Sequence, residues 1–216
     1  MQNRFKDWEE KYRQHGAVQK EPMQIVQEAV AVLKKRKAKK ILDLACGTGR
    51  HTVFLAKKEF QVIGIDNSKT ALQLTRKQLK KKRIKNARVC IGSMHKIPFK
   101  KESFDAVACT RAIYHGTHKK IQKTIAEVHR VLRPKGLFLF NVLTINHPDY
   151  GKGKRIEKNT FVHVHDSEYH VPHHFFSKKE MRVLLKRFLI LQFKQVHYED
   201  LAGKKPNEFE ITAKKR

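Results

Sequence analysis

The chain has 216 residues, a length that suits one α/β domain, buries a core without disulfides and is tight for two domains. Its three cysteines, Cys46, Cys90 and Cys109, are odd in number, show no CxxC spacing and sit in or beside apolar runs, which reads as reduced thiols of a cytoplasmic protein. No apolar run approaches the ~18 residues of a membrane span, and the polar opening MQNRFKDWEEKYRQHG lacks the apolar stretch of a signal peptide.

Taken in chain order, residues 22–35 carry Ile25, Ala29, Val32 and Leu33 at helical spacing behind Pro22, which predicts an amphipathic helix. KILDLA (40–45) is an apolar run broken by one Asp, the pattern of a strand buried on both faces. A short helix is expected over 49–58 and a second buried strand over 60–66. Ser68 opens a helix over 68–83 as its N-cap. Strands are expected at 87–92 and 104–110. Ile121, Ile125, Val128 and Leu132 mark a helix over 118–132 that Pro134 and Gly136 stop. A fifth strand follows at 136–144, then a polar stretch rich in Gly, His and Lys over 145–176, a helix at 177–187, a strand at 188–197 and a last strand near 207–213.

This alternation predicts a parallel sheet with helices on both faces and right-handed crossovers. The 145–176 segment is too long for an ordinary connector and reads as a lid or binding loop. One domain is expected over 1–216: N-terminal helices in 1–37, a ligand-binding core in 38–144, an insertion in 145–176, and a C-terminal helix and strands in 177–216.

The charge is unusual, with 48 Lys plus Arg against 20 Asp plus Glu and a formal net charge of +28. The basic runs KKRKAKK (34–40), KKKR (80–83), KGKR (152–155) and KKR (214–216) are spread along the chain. A dedicated nucleic-acid face gathers its charge on one helix or hairpin, so this spread favours a generally basic, solvated surface over an anion-binding face. KKRKAKK also has the look of a nuclear localisation patch, but between a helix and a buried strand it reads as a charged turn.

The first strand runs into Cys46-Gly47-Thr48-Gly49. In a doubly wound sheet, ligands bind beyond the carboxyl ends of the strands, and glycines let backbone approach them. The frame Ala45-x-Gly47-x-Gly49 is followed by Arg50 where a dinucleotide motif wants a small residue, and no GK[ST] is present for a P-loop. A nucleoside ligand without a pyrophosphate remains. Asp66, closing the second strand 17 residues after Gly49, suits the two ribose hydroxyls, and Asp43 suits a cationic amine. Asp43 as a turn cap and Asp66 as a helix-capping acid are the competing readings. Cys46 reads as packing, since no local base partners it.

The ordered set ILDLACGTG (41–49), VIGID (62–66), SMHKIPF (93–99), FDAVACTRAIYH (104–115) and EVHRVLRPKGLFLF (127–140) resembles the class I S-adenosylmethionine-dependent methyltransferases over residues 40–143, about half the chain. The resemblance implies a Rossmann-like, doubly wound, mostly parallel seven-stranded sheet with an antiparallel last strand. It implies S-adenosylmethionine as cofactor, with Asp43 and the segment Ala45, Cys46, Gly47, Thr48 and Gly49 around its methionine part. Asp66, with the adjoining Asn67, would meet the ribose, Ser93 and Met94 would flank the adenine, and Thr110 and Arg111 would line the floor. Two positions depart from the family pattern: Ala45 replaces the first motif glycine, and Ser93 stands where many relatives carry an acid.

On the acceptor side, His115 is placed to take a proton and Tyr114 to offer a ring face to the sulfonium; packing against the cofactor's edge is the alternative for both. The insertion holds FVHVHDSEYHVPHHFFS, in which His163 and His165 would share a face of an extended segment, and His173 and His174 follow. A histidine-lined acceptor pocket, an ordinary polar loop, and a zinc site using Asp166 or Glu168 are the competing readings; the spacing fits no standard zinc pattern, so no metal is expected. The insertion also resembles that of a subgroup of small bacterial and archaeal enzymes of the class, and the general layout, more faintly, tellurite-resistance and thiopurine-type enzymes. The expected function is methyl transfer to a small-molecule acceptor, by a monomer or homodimer without membrane contact. Methylation of RNA or protein through the basic surface is the alternative, and a non-catalytic basic binding module a further one. The N/D-P-P-aromatic tetrad of amino-methylating nucleic-acid enzymes is missing, since those positions read Thr110-Arg111-Ala112-Ile113.

Overall fold

The structure, a computed structural model, describes residues 8–17, 21–164, 170–197 and 207–216. Two helices open it, α1 (Trp8–His15) and α2 (Gln24–Lys35). The buried stripe of α2 is Ile25, Val26, Ala29 and Leu33. Val32, expected on that stripe, is instead 45% exposed, and Val26 takes its place against the sheet. Next come β1 (Lys40–Leu44), α3 (Arg50–Lys57), β2 (Gln61–Asp66) and α4 (Lys69–Lys81). Ser68 caps α4 as expected, its side chain accepting the Ala71 amide at 3.0 Å.

After β3 (Ala87–Ile91) and β4 (Phe104–Cys109), helix α5 (His118–Val131) gives way directly to β5 (Leu132–Leu143). The strand therefore begins four residues before the expected 136. Leu132 is fully buried, turns extended at the helix end and pairs with Phe104. Pro134 does not stop the helix; it lies in the irregular stretch between the pairs Phe104–Leu132 and Ala106–Leu137. A residue without an N–H is tolerated at such a bulge.

The main sheet has seven strands in the order β3-β2-β1-β4-β5-β10-β9, where β9 is Phe188–His197 and β10 is Asn207–Lys215. The first five are parallel, and the last strand of the chain runs antiparallel between β5 and β9. Alternation explains the double burial: Phe138, Phe140 and Val142 of β5 face the core under α5, while Leu137 and Leu139 face α2 and α3. β1 divides the same way, with Leu42 and Leu44 on one side and Ile41 on the other.

The insertion is more ordered than a polar loop. It forms a three-stranded antiparallel sheet, β6 (Lys154–Glu157), β7 (Thr160–Val162) and β8 (His173–His174), followed by α6 (Lys178–Leu184). Single bridges from His173 to His115 and from Phe176 to Thr144 fasten it over the carboxyl ends of β4 and β5. Among the described residues no helix is long and apolar enough to cross a membrane.

Candidate active site

The strand order reverses between β2 and β4, on either side of β1. Loops leaving β1 and β4 diverge to opposite faces there, and the gap between them is where a doubly wound sheet holds its ligand. The turn after β1 is tightly held. The Cys46 amide donates to Ile65 at 2.9 Å, and the Gly49 amide closes the turn onto the Cys46 carbonyl at 2.9 Å. Gly47 and Gly49 have φ of +52° and +84°. A Cβ on Gly47 would stand 2.6 Å from the Tyr12 hydroxyl, and one on Gly49 2.8 Å from the Thr75 hydroxyl. Ala45, where the family pattern has glycine, also has a positive φ of 56°. A left-handed alanine costs about 1 kcal/mol, so the departure noted in the sequence carries local strain at the site.

Asp66 ties this turn to the next strand. One carboxylate oxygen accepts the Gly47 amide at 2.8 Å and the other the Ser68 amide at 2.9 Å. Burial nevertheless raises its pKa. Asp66 and Asn67 line a cleft of about 210 Å³ together with Ala45, Ser93, Met94, Arg111 and His115, all of them expected site residues. Gly92, His95, Ala112 and Val171 complete this wall.

The other expected residues lie behind that surface. Asp43 is buried in the sheet, accepts the Thr52 hydroxyl at 2.6 Å, and has its pKa raised to about 6 by burial. It supports the turn from below instead of lining the cleft. Cys46 is buried between Gly64 and Thr52, and burial pushes its thiol pKa well up, so it stays a neutral packing group. The Thr48 carbonyl accepts the Gln78 side-chain amide at 3.1 Å. Thr110 is buried beside His51, with its hydroxyl 3.3 Å from Nδ1.

Five residues that the motifs did not single out complete the site. Trp8 and Tyr12 of α1 line the cleft from above. Glu9 docks that helix by accepting the Ser68 and Thr70 hydroxyls, each at 2.6 Å, which puts an acid at the N-terminus of α4 where the helix dipole favours it. The i, i+4 pair Trp8 and Tyr12 next to acids was the available signal. His51 of α3 is buried; its Nε2 accepts the Met23 amide at 3.0 Å, so the ring is neutral with its proton on Nδ1, and burial lowers its pKa well below the usual value. Arg50 is half-buried near Arg111 and Asp43, and desolvation brings its pKa down to about 10.

At the mouth, His115 meets Tyr114 and His173 edge to face and Trp8 at a tilt. His115 lies 5.2 Å from Trp8, 4.4 Å from Tyr114 and 4.9 Å from His173, centroid to centroid. His173 thus approaches the cleft through His115. His174, next in sequence, points the opposite way, with Nδ1 2.6 Å from the Thr160 hydroxyl and Nε2 2.9 Å from Glu180. It anchors the insertion and does not face the cleft. His163 has a left-handed φ of 61°, so the extended alternation expected there ends at Val162. His165, Asp166 and Glu168 lie outside the described residues. Among the described residues no group of three or more His, Cys, Asp or Glu is arranged to hold a metal ion.

Residues 41–136 match the family described as a methyltransferase domain. The chain is 37% identical over 99 residues to an uncharacterized methyltransferase of Synechocystis sp.; the match covers 46% of this chain and 44% of that one. It thus spans under half the length of that curated relative. Among solved structures it is similar to a SAM-dependent methyltransferase from Methanosarcina mazei, with TM-score 0.76 and 24% identity, over 90% of this chain and 98% of that one. It is also similar to the 1,6-didemethyltoxoflavin-N1-methyltransferase of Burkholderia thailandensis, which was crystallised with 1,6-didemethyltoxoflavin and S-adenosylhomocysteine. There the TM-score is 0.68 and the identity 19%, over 89% of this chain and 78% of that one. At these identities the structures establish the shared fold.

Proposed function

We propose that this chain, whose residues 41–136 match a methyltransferase domain, is a class I S-adenosylmethionine-dependent enzyme that transfers a methyl group to a small-molecule acceptor. The observation that carries the reading is the cleft at the sheet's switch point, which joins the glycine turn, the Asp66 carboxylate and the ring cluster at His115. The donor set fits the cofactor: the small Ala45 of the glycine turn, a Gly47 whose missing Cβ leaves room beside the Tyr12 hydroxyl, an acid for paired hydroxyls, and a methionine and a small polar residue further along the cleft. When bound, S-adenosylmethionine supplies a methyl carbon already activated by a positively charged sulfur.

The protein's task is then alignment and water exclusion. Asp66 is assigned to the ribose hydroxyls, with Ser93 and Met94 at the adenine. Trp8 and Tyr12 close the cleft from above, removing water from the reacting atoms. His115, held by rings on three sides, accepts the proton of an acceptor that carries one at neutral pH. A small acceptor is favoured because the insertion and α1 roof the mouth and leave a limited opening. The Burkholderia enzyme, crystallised with 1,6-didemethyltoxoflavin, is consistent with that scale.

Calorimetry with S-adenosylmethionine tests the cofactor half: binding should appear, and Asp66→Ala should weaken it at least 10-fold. Undiminished binding would remove the ribose assignment. A metabolite-pool screen with radiolabelled methyl donor tests the acceptor half; label appearing only in RNA or protein would overturn it.

A further inference from the structure

The sequence scatters its basic runs, but the fold gathers many of them. In a parallel α/β sheet every crossover helix ends at the edge where strands begin, opposite the ligand cleft. Segment 34–40, with six Lys or Arg among seven residues, lies between α2 and the start of β1, and segment 80–85, with five among six, between α4 and β3. Their charged side chains are exposed apart from the half-buried Lys40.

Contacts join these segments into one continuous surface. Asn86 donates to the Ala56 and Phe60 carbonyls, both at 2.8 Å, linking the end of α4 to the end of α3. Lys34 pairs with Glu59 at 3.4 Å. Arg36 donates to the Lys135 carbonyl at 2.7 Å, and the Lys39 and Lys40 amides both donate to Asp105 at 2.8 Å. Arg133 pairs with Asp105 at 2.7 Å and Lys215 with Glu102 at 3.6 Å. The acids of this edge, Glu59, Glu102 and Asp105, are therefore each matched by a cation, and the surplus is positive.

Lysines at helix C-termini complement the helix dipole, yet the pole extends beyond helix ends. Lys100 and Lys101 precede β4, Lys135 lies within the β5 bulge, and Arg216 ends the chain beside β10. No helix end calls for charge there. With strands ~4.8 Å apart, the edge from β3 to β5 spans roughly 19 Å, against one charge per ~1.7 Å along a duplex.

We infer that this basic pole, on the face away from the cleft, is a docking surface for the phosphate backbone of a double-stranded nucleic acid, holding the enzyme in place without presenting a base to its active site. An anionic bilayer fits less well. Amphipathic surfaces that lie on membranes bury Trp, Phe or Leu in a continuous stripe; here the segments 34–40, 57–60, 80–86, 100–105 and 133–135 expose no large apolar side chain, and only the isolated Val32 and Leu189 are exposed at their margins.

Fluorescence anisotropy with labelled 24-base-pair RNA and DNA duplexes tests this in the full chain. Affinity should fall about 100-fold or more between 50 and 200 mM salt, the dependence of some four phosphate contacts. Lys35→Glu with Lys81→Glu should weaken binding at least 10-fold and reduce the log–log salt slope by about 2, as should the milder Gln pair in direction. Lys119→Glu with Lys120→Glu, exposed at the opposite end on α5, should leave both unchanged. Equal losses in the two variant pairs would mean diffuse charge and overturn the pole. So would binding to phosphatidylserine vesicles in place of duplexes, or the absence of salt-dependent binding.

Discussion

The Gly47 amide donates to the Asp66 carboxylate at 2.8 Å, so the residue that closes β2 also holds the turn that leaves β1. One side chain thereby sets the backbone of the glycine turn and presents an acid to the cleft it borders. Replacing Asp66 by Asn keeps an acceptor for only one of its two amides. Asp66→Asn should cost about 1–3 kcal/mol by denaturant unfolding, the penalty of a buried polar group left unpaired, and Asp66→Ala more. If both variants unfold like the parent, the carboxylate does not hold the turn.

Gly49 has φ +84°, and an added Cβ would press on the Thr75 side chain. Gly49→Ala should therefore lower stability by more than the ~1 kcal/mol of a left-handed alanine alone. Gly49→Ala with Thr75→Ser relieves part of the crowding and should recover part of the loss. A Tm equal to the parent's in the single variant would contradict the geometry.

Asp43 carries an opposite pH signature to an ordinary ion-paired acid. Its pKa rises from 3.8 in the unfolded chain to about 6 in the fold. Between those values the folded state binds more protons, so this group's contribution to stability falls as pH rises from 4 to 6. The displacement amounts to about 3 kcal/mol at ~1.4 kcal/mol per tenfold. Asp43→Asn retains an acceptor for Thr52 and removes the buried charge. The variant should gain stability relative to the parent as pH rises through that window, measured by urea unfolding at each pH. His51, with its pKa lowered, acts in the other direction and is common to both proteins, so the difference between them isolates Asp43. A constant difference from pH 4 to 7 would refute the assignment.

Trp8 is the only tryptophan in the chain and lines the cleft beside His115. Intrinsic fluorescence should therefore change on addition of S-adenosylmethionine or S-adenosylhomocysteine, saturating with the calorimetric Kd. Trp8→Phe should abolish the signal and weaken binding only a few-fold, because the helix remains docked by Glu9. A ligand that binds calorimetrically without altering the emission would place Trp8 away from it.

Much of the fold was readable because its causes are local. The apolar runs at 40–45, 60–66 and 104–110, short and bounded by turn residues, read as strands buried on both faces, and Ser68 announces its helix by a side chain that reaches three residues ahead. The helix over 118–132 ends within one residue of its expected stop, but the start of β5 is hidden by the proline and glycine at 134 and 136, because the pairing of Leu132 with Phe104, 28 residues away in sequence, decides it. The insertion was legible as an insertion but not as a sheet, since its short strands are secured by bridges to His115 and Thr144.

By itself the amino-acid sequence determined the alternating α/β architecture, the glycine turn and the acid seventeen residues beyond it, because backbone freedom and apolar periodicity are written within a few residues. Tertiary structure alone decided that Asp43 lies beneath the cleft and Asp66 beside it, that α1 roofs the site, that His173 and His174 point apart, and that scattered lysines share one pole. Each of these depends on which distant elements the sheet order brings together, and burial and charge proximity follow from that order, not from spacing along the chain.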